Sequence, residues 1–551
     1  MRVFTTVAGL RCYLGKLRAG QHQPPEQDGP RSSCYPLDGS VGLVPTMGAL
    51  HDGHLSLIHR ARQENAWVVV SIFVNPLQFG PNEDFKTYPR QPAQDQQLCE
   101  QAGVDVLFIP SVEELYGHYN SLAQETQGMK QAGLTQTGLT QVVPPTAMIA
   151  KLCGQARPGH FTGVATVVTK LFNIVQPDRA YFGQKDAQQE AVLQKLVADL
   201  HLPVELRICP IVRESDGLAL SSRNQYLSPE QRTQAAILNR GLRQAEQTFR
   251  AGGRLRQELI GAVQAELQTV PTVQPEYIDL VHPETMLPLQ QVEEAGLLAV
   301  AARIGSTRLI DNLVLRNRQP IVAIDGPAGA GKSTVVRQVA QVLGLLYLDT
   351  GAMYRAVTWL VLQANLGVGD EADIAELVSQ CQIDISGNPA MARVAINGQD
   401  ITAAIRSPEV TAQVSAVSAL PSVRRELVKR QQDYGRRGGI VMDGRDIGTC
   451  VFPDAELKVF LTASVQERAR RRQQDLKNQG QTEISLTELE RTIYERDLKD
   501  STRRIAPLRR AEDAIEIQSD HLTIDQVVAK IVALYHERVD QPGATASPIL
   551  N

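Results

Sequence analysis

Residues 321–336, IVAIDGPAGAGKSTVV, decide the fold of the second half of the chain. The first five residues are typical of a buried strand, the middle fits the pattern G-x-x-x-x-G-K-S/T, and the end begins an amphipathic helix. Glycines let backbone N–H groups point at phosphate oxygens, and the helix N-terminus adds a favourable dipole. We therefore expect an α/β fold that binds ATP, with Mg²⁺ on a hydroxyl of the loop. The expected ATP ligands here are Gly326, Gly329, Gly331, Lys332, Ser333 and Thr334, with Ser333 as the Mg²⁺ ligand.

The composition of the whole chain is that of an ordinary soluble globular protein. Its 551 residues suggest roughly three to four folding units, and the net charge of -4 does not favour nucleic acid as a partner. Seven scattered cysteines without a C-x-x-C pair are typical of reduced thiols in the cytoplasm. No run approaches the ~20 apolar residues that a membrane span needs. We expect a cytoplasmic protein that binds small molecules, with no membrane and no nucleic acid partner.

A second candidate site lies upstream, in PTMGALHDGHLSLI (45–58). It follows an apolar run that predicts a strand, and it places His51 and His54 on one face at the start of a helix. Imidazoles there can donate hydrogen bonds to an oxyanion, and the helix dipole favours negative charge. The alternatives are a capping histidine plus a surface one, or half of a metal site for which no further ligands follow.

Four later stretches add polar groups that suit a phosphate and a small polar acid. Glycine-hinged loops and strand ends are where α/β proteins bind ligands. The stretches are NPLQF (75–79), RPGHFTGV (157–164), YFGQKDAQQ (181–189) and LALSSRNQYL (218–227).

Residues 51–54, HDGH, fit the motif H-x-G-H. Together with this motif, the four stretches resemble pantothenate synthetase (pantoate–β-alanine ligase) over essentially residues 1–315. The resemblance implies a Rossmann-like nucleotidyl-transferase fold and a reaction through a pantoyl adenylate. His51, His54, Lys185, Ser222 and Arg223 would be the catalytic donors. The ATP ligands would be Met47, Gly48, Ala49, Leu50, His51, Asp52, Gly53, His54, Gly183, Gln184, Lys185, Asp186, Val212, Leu220, Ser221, Ser222 and Arg223. Gln78 and Gln189 would hold pantoate or β-alanine.

The second half contains many arginines and only two late histidines, which favours phosphoryl transfer over histidine acid–base chemistry. Its motifs LDTGAMYRA (348–356), VSAVSALPSVR (414–424), VMDGRDIGTCVFPDA (441–455) and ERDLKDSTRRIAPL (495–508) resemble bacterial cytidylate kinase. The resemblance covers nearly all of 319–540 and implies a P-loop nucleoside monophosphate kinase fold. It implies Lys332 as a catalytic residue and CMP ligands at Thr350, Arg355, Ser415, Arg424, Arg445, Asp446, Arg496, Asp500 and Arg503.

Two interpretations stay open for the charged residues of this half. Asp446 and Asp500 either contact the nucleotide or brace the arginines. The run ERARRRQ (467–473) is either a solvated helix face or nucleic-acid patch, or part of a phosphate-closing lid. Asp443 is a further candidate for holding Mg²⁺ through water.

The expected organisation is a fusion of two ATP-using enzymes. The expected domains are a Rossmann-like ATP- and pantoate-binding domain (1–212), a small α+β subdomain of the ligase (213–316) and a P-loop kinase domain (317–551), with a lid at about 466–508. No tightly bound organic cofactor is expected, and the ligase part is a candidate for homodimer formation. The alternatives are a related adenylylating ligase fused to a kinase for another monophosphate, or one catalytically silent half.

Overall fold

The computed structural model describes residues 1–20, 39–80, 83–117, 139–386, 393–478, 485–502 and 506–540. The chain divides into two compact units, an N-terminal unit (Met1–Asn317) and a C-terminal unit (Arg318–Asn551). Across the described ranges, no helix combines the length and the apolar character needed to cross a membrane.

The N-terminal unit is built on a parallel sheet whose strand order, within the described residues, is β1-β4-β3-β2-β5-β6. Both faces of its central strands are buried: Val69 packs into one hydrophobic cluster, and Val68 and Val70 pack into the other. Such strands need helices on both faces, which explains their continuous apolar sequence. The strands are β1 (Arg2–Phe4), β2 (Val41–Thr46), β3 (Trp67–Ile72), β4 (Val106–Phe108), β5 (Arg179–Gly183) and β6 (Glu205–Cys209). The helices are α1 (Val7–Arg18), α2 (Asp52–Glu64), α3 (Pro92–Gln101), α4 (Val112–Tyr116), α5 (Thr146–Ile149), α6 (Leu152–Ala156), α7 (His160–Val175) and α8 (Ala187–Asp199).

The order of these strands reverses at β2, which pairs with β3 on one side and with β5 on the other. Open α/β sheets bind their ligands at the carboxyl ends of the strands where such a reversal occurs. The histidine motif follows β2 and the Lys185 turn follows β5. The topology therefore brings two of the stretches singled out in the sequence to one edge of the sheet.

An antiparallel sheet with the strand order β7-β8-β9 follows within the same unit. Leu238, Leu242, Val263 and Val300 lie in the buried cluster that joins this sheet to the adjacent helices. The strands are β7 (Val273–Val281), β8 (Ala295–Ile304) and β9 (Thr307–Arg316), and the helices are α9 (Pro229–Ala235), α10 (Ile237–Arg250) and α11 (Arg256–Gln268).

The C-terminal unit has a second parallel sheet, whose strand order among the described residues is β11-β15-β10-β16-β17. Alternate residues of β10 enter different clusters, Ala323 on one face and Val322 on the other. The strands are β10 (Ile321–Asp325), β11 (Leu346–Asp349), β15 (Ile440–Gly444), β16 (Leu457–Thr462) and β17 (Ile515–Gln518), and a small antiparallel sheet contains β12 (Ile383–Ser386), β13 (Arg393–Ile396) and β14 (Gln399–Asp400). The helices are α12 (Lys332–Leu343), α13 (Thr350–Gln363), α14 (Glu371–Gln380), α15 (Pro408–Val417), α16 (Pro421–Gly435), α17 (Val465–Asn478), α18 (Leu486–Thr502) and α19 (Ile524–Asp540).

The expected fold class is confirmed, because both units are α/β with parallel main sheets. In the C-terminal unit the glycine-rich loop leaves β10, which lies at the centre of its sheet between β15 and β16. This is the position from which a phosphate-binding loop reaches the carboxyl edge of the sheet.

Candidate active sites

The turn between β2 and α2 is fixed by a buried carboxylate. Asp95 on α3 accepts hydrogen bonds from the backbone N–H groups of Ala49 (2.9 Å) and Leu50 (2.7 Å), and it is 1% exposed. Gly48 and Ala49 both have positive φ values, 80° and 50°, a conformation that costs a non-glycine residue energy. The Asp95 carboxylate compensates for that strain and holds Met47 to Leu50 in place.

His51 and His54 lie directly beside each other at the start of α2. Their ring centroids are 4.1 Å apart, and His51 caps the helix by accepting the Gly53 N–H on Nδ1 at 3.1 Å. A side chain at Gly53 would place its Cβ 2.9 Å from the His51 ring, so glycine is needed there for this capping contact. The Nδ1 atom of His54 is buried and has no hydrogen-bond partner in the structure.

Both imidazoles are neutral at physiological pH. Burial, helped by the nearby Lys185 ammonium, lowers the pKa of His51 to about 4. Burial and the neighbouring His51 and Lys185 lower the pKa of His54 to about 3. Because the Nδ1 atom of His51 accepts a hydrogen bond, its proton lies on Nε2, which is then available as a donor.

A buried amide network positions Gln78 in the 3₁₀ turn Pro76–Gln78. The Gln78 amide donates to the Met47 sulfur (3.1 Å) and accepts from Asn75 (3.1 Å). Asn75 also donates to the Gly163 carbonyl at 3.0 Å. A Cβ on Gly163 would lie 2.5 Å from the Leu77 carbonyl, so only glycine lets α7 pack this closely against the turn.

The loop that carries Arg157 and His160 also holds the turn Pro76–Gln78 in place. The Gln78 carbonyl accepts from His160 Nδ1 (2.8 Å) and Arg157 (3.2 Å), and Arg157 pairs with Glu83 at 2.6 Å. Burial and Arg157 lower the pKa of His160 to about 4. A neutral His160 therefore donates from Nδ1 and leaves Nε2, 3.1 Å from Arg157, as an acceptor.

The Lys185 turn is held by a residue that sequence reasoning missed. Asn312 on β9 donates to the carbonyl of Gln184 (3.0 Å) and to that of Lys185 (2.9 Å). Burial lowers the pKa of Lys185. Asp186 is exposed at the end of the same turn.

The loop with two serines lies against the histidine turn, but its arginine is already paired. Ser222 donates to the Ala49 carbonyl (3.3 Å), and the Leu220 N–H donates to the Val212 carbonyl (3.0 Å). The Arg223 guanidinium binds both carboxylate oxygens of Asp84, at 2.9 and 3.0 Å. The sequence gives no signal for this partner of Arg223.

Gln189 is not among the side chains that the network around Gln78 connects. It is half-buried in the first turn of α8. The neighbouring Gln188 is buried, and its amide donates to the carbonyls of Met148 (2.8 Å) and Lys151 (2.9 Å).

In the C-terminal unit, the glycine-rich loop adopts the conformation that its sequence predicts. Gly326, Gly329 and Gly331 all have positive φ, and a Cβ on Gly326 would lie 2.0 Å from the Leu461 carbonyl. Lys332 is 6% exposed and donates to the carbonyls of Gly326 and Pro327, both at 2.7 Å. Burial and the nearby Arg445 lower the pKa of Lys332 to about 7.

Oxygen ligands for a cation meet at the end of this loop. Ser333 donates to Asp443 (2.8 Å), which also accepts from Tyr347 (3.1 Å). The Thr350 hydroxyl donates to the Asp443 backbone carbonyl at 2.7 Å. No cluster of three or more His, Cys, Asp or Glu side chains suited to a metal occurs within the described ranges. Mg²⁺ that arrives with ATP needs only one or two protein oxygens. The Ser333 hydroxyl and the Asp443 carboxylate fit that requirement.

The arginines expected to bind CMP are held by carboxylates. Arg424 pairs with Asp446, and both side chains are almost completely buried. Arg445 pairs with Asp500 (2.9 Å). The ion pair raises the pKa of Arg424, although burial opposes it, so this side chain is a permanent cation.

The other expected CMP ligands are less connected. Arg355 pairs with Asp349 at 3.3 Å, and its Nε atom is buried without a hydrogen-bond partner. Ser415 and Arg496 are exposed on α15 and α18. Arg503 lies outside the described residues.

Some arginines of the run ERARRRQ contact the glycine-rich loop, as expected of a lid, and others are exposed, as expected of a solvated helix face. Arg468 is 4% exposed and bonds to the carbonyl of Ala328 (3.1 Å) in the glycine-rich loop and to Asp497 (2.5 Å) on α18. Arg471 reaches the Ala330 carbonyl at 3.5 Å, whereas the Arg470 side chain is 71% exposed. The spacing of three residues puts Arg468 and Arg471 on the inner face.

Asp325 is a second residue that sequence reasoning missed. Its buried carboxylate accepts from the N–H groups of Ile447 (2.8 Å) and Gly448 (2.7 Å). Burial raises its pKa to about 7. It joins the strand before the glycine-rich loop to the segment that carries Arg445 and Asp446.

Comparison with known proteins agrees with this division into two sites. The family model for pantoate-beta-alanine ligase matches residues 30–314, and that for cytidylate kinase matches residues 322–537. A bifunctional pantoate ligase/cytidylate kinase from Trichormus variabilis is 58% identical over 545 residues, covering 98% of this chain and 100% of the relative. One from a Nostoc species is 58% identical over 547 residues, with the same coverage. A solved pantothenate synthetase from Thermus thermophilus is 45% identical and covers 57% of this chain and 99% of its own, with a TM-score of 0.47. The chain belongs to the family of bifunctional pantoate ligase/cytidylate kinases.

Proposed function

We propose which residues carry each of the two activities, pantoate–β-alanine ligation in the N-terminal unit and cytidylate phosphorylation in the C-terminal unit. In the first activity, a pantoate carboxylate oxygen attacks the α-phosphorus of ATP, and pyrophosphate leaves. The β-alanine amine then attacks the acyl carbon of the adenylate, and AMP leaves. The observation that carries this assignment is the pair of neutral histidines, with rings 4.1 Å apart, at the strand reversal of a parallel sheet.

The donors around the attacked phosphate would be His51, His54, Lys185 and Ser222. The phosphate gains charge as the carboxylate attacks, and fixed donors stabilise that charge more in the transition state than in the ground state. The orphaned Nδ1 atom of His54 supports a ligand contact at this ring. Arg223 would join the donors only after its guanidinium exchanges Asp84 for phosphate.

The amide network around Gln78 supports its assignment to pantoate. Its turn is held by Asn75, Gly163 and His160, so the side chain is fixed before a substrate arrives. A neutral amide can orient a small hydroxy acid without trapping its charge. Gln189 is proposed as a second ligand for pantoate or β-alanine on the basis of its sequence motif.

In the C-terminal unit, Lys332 would move its hydrogen bonds from the loop carbonyls to the phosphates of ATP. Ser333, with Asp443 behind it, would hold Mg²⁺, which neutralises charge on the phosphates when bound. We assign α17 and α18 to the lid, because Arg468 connects them to the glycine-rich loop.

CMP would bind beside this loop, with Arg355, Arg424 and Arg445 facing its phosphate. Arginine forks bind phosphate with two parallel hydrogen bonds, which is the chemistry that this role needs. The ion pair with Arg424 favours Asp446 as a brace for that arginine. Thr350, Ser415, Arg496, Asp500 and Arg503 complete the proposed CMP set.

We also propose a cytoplasmic location, with small molecules as the only partners apart from a second copy in a homodimer. The location is supported by the described cysteines, none of which is in a disulfide. Light scattering of the purified chain tests the homodimer.

The test of both assignments is analysis of the products formed from ATP by the purified full-length chain. Pantoate plus β-alanine should yield AMP and pyrophosphate, and CMP should yield ADP. UMP and dCMP are compared with CMP at equal concentration. A silent N-terminal unit would contradict the ligase assignment, and faster turnover of UMP than of CMP would contradict the CMP site.

A further inference from the structure

Two adjacent residues of β9, Asp311 and Asn312, connect the antiparallel sheet to both loops of the ligase site. β9 is paired with β8 from Thr307 to Arg316, so it is a rigid support. Both side chains are buried, with 3% and 4% exposure. They are also linked to each other, since the Asn312 N–H donates to Asp311 at 2.8 Å.

Asn312 fixes the backbone that carries Lys185. Its amide donates to two consecutive carbonyls, those of Gln184 and Lys185, at 3.0 and 2.9 Å. The two carbonyls belong to the peptide planes on either side of the Lys185 Cα, so the two bonds fix the backbone of Lys185 and with it the direction in which its side chain leaves. The Asn312 Oδ1 atom is buried without a hydrogen-bond partner, which is unfavourable for stability.

Asp311 fixes the second loop. Its carboxylate binds the Arg213 guanidinium at 2.7 and 2.9 Å, and Arg213 donates to the Gly217 carbonyl at 3.1 Å. These bonds hold the segment that leads to Ser222 against β9. The Ser222 hydroxyl in turn contacts the Ala49 carbonyl.

We propose that Asn312 and Asp311 are positioning residues of the ligase: Asn312 acts through Lys185, and Asp311 acts through Arg213 on the loop that carries Ser222. The inference rests on the proposed role of Lys185 and deepens it. A displacement of about 1 Å in a group that stabilises the transition state is enough to cost about 100-fold in rate.

The experiment uses the full-length chain and single-turnover formation of AMP from ATP, pantoate and β-alanine. Asn312→Ala should lower the single-turnover rate about 10- to 100-fold, and in separate steady-state assays it should change the KM for pantoate less than about twofold. Asn317→Ala is the matched control, because that exposed asparagine also donates to a backbone carbonyl, that of Glu293 at 2.7 Å, away from both loops. It should retain the parent rate within about twofold.

The double variant Asn312→Ala with Lys185→Ala separates positioning from general structure. If Asn312 acts through Lys185, the double variant is no slower than Lys185→Ala alone. A double variant slowed by the product of the two single effects would overturn the inference, as would an Asn312→Ala enzyme at the parent rate. A fully active Lys185→Ala enzyme would instead refute the proposed role of Lys185, and the inference with it.

Arg213→Lys tests the other branch and remains decisive if Asn312→Ala does not fold. Lysine keeps the charge opposite Asp311 but loses the fork that binds both carboxylate oxygens. We expect a loss of about 5- to 10-fold in AMP formation with unchanged CMP phosphorylation. A parent rate for AMP formation would overturn the role of Asp311.

Discussion

The proposed sites of the two units would meet ATP with different kinds of donor. In the N-terminal unit the phosphate would meet the neutral imidazoles of His51 and His54 and one lysine. In the C-terminal unit it would meet a buried lysine and a set of permanently charged arginines that are already paired with carboxylates. A kinase must bring the phosphates of two nucleotides together, whereas the ligase brings a single carboxylate to ATP. The density of positive charge follows the amount of negative charge that each site has to accommodate.

The two lysines show the same contrast in how they are held. The ammonium group of Lys332 is occupied by the carbonyls of Gly326 and Pro327. The Lys185 turn is instead held through its backbone, by Asn312. Lys332 would therefore have to exchange protein partners for phosphate, whereas Asn312 would set the direction of the Lys185 side chain.

The largest effect expected is that of Lys332→Ala on CMP phosphorylation. Loss of the only lysine of the phosphate loop should slow ADP formation about 10³-fold, because no other group of the loop supplies positive charge to the migrating phosphoryl group. AMP formation from pantoate and β-alanine, measured on the same preparation, should be unchanged. Lys530→Ala, at an exposed position on α19, is the control. A parallel loss of both activities would show that the contrast between the sites is wrong.

The next largest effect is expected for His54→Ala on the ligase. Removal of a preorganised donor from a buried site typically costs about 10²-fold in turnover. The matched control is His59→Ala, an exposed histidine on the same helix. Quenched-flow measurement of AMP formation should find only the His54 variant slowed, and CMP phosphorylation should be normal in both. Equal rates for the two variants would remove His54 from the proposed donors.

Much of this contrast could be predicted from the sequence, because it depends on local pattern. The glycines of the phosphate loop, the strand before it and the histidine pair after β2 are each coded by neighbouring residues. The parallel sheets follow from short apolar runs separated by helical stretches.

What the sequence could not show are the pairings between distant residues. The sequence predicts that Arg223 donates hydrogen bonds to a phosphate, but in the structure it binds Asp84, which is 139 residues away. Asn312 and Asp325 are not part of a recognised motif. Their roles appear only in the fold, which brings Asn312 to a loop 127 residues away and Asp325 to a segment 122 residues away. Which arginines of the ERARRRQ run are buried and which are exposed depends on the face of α17 that meets the glycine-rich loop. Periodicity alone does not determine that face.

A smaller effect distinguishes the inner and outer arginines of α17. Arg468→Ala removes the bonds to Ala328 and Asp497 and should slow CMP phosphorylation about 10-fold, with a higher KM for ATP. Arg470→Ala changes a side chain that is 71% exposed and should stay within about twofold of the parent. Steady-state kinetics of ADP release compares the two variants. Equal losses would favour a general electrostatic role for the whole run over a specific lid contact.

The last prediction concerns stability instead of rate, and it is a dependence of the ligase unit on acid. The pKa of His54, about 3 in the folded chain, lies below the ordinary value of 6.5, so the unfolded chain binds more protons as the pH falls below 6.5. Above pH 6.5 this histidine does not change the free energy of unfolding, and as the pH falls from 6.5 toward about 3 that free energy decreases by up to about 1.4 kcal/mol per pH unit. Imidazole NMR of the parent, with His51→Ala and His54→Ala for assignment, should find both rings neutral down to about pH 5. A ring that protonates near pH 6.5 would carry part of a positive charge at physiological pH, and the contrast between neutral donors in the ligase and cations in the kinase would then be wrong for that ring.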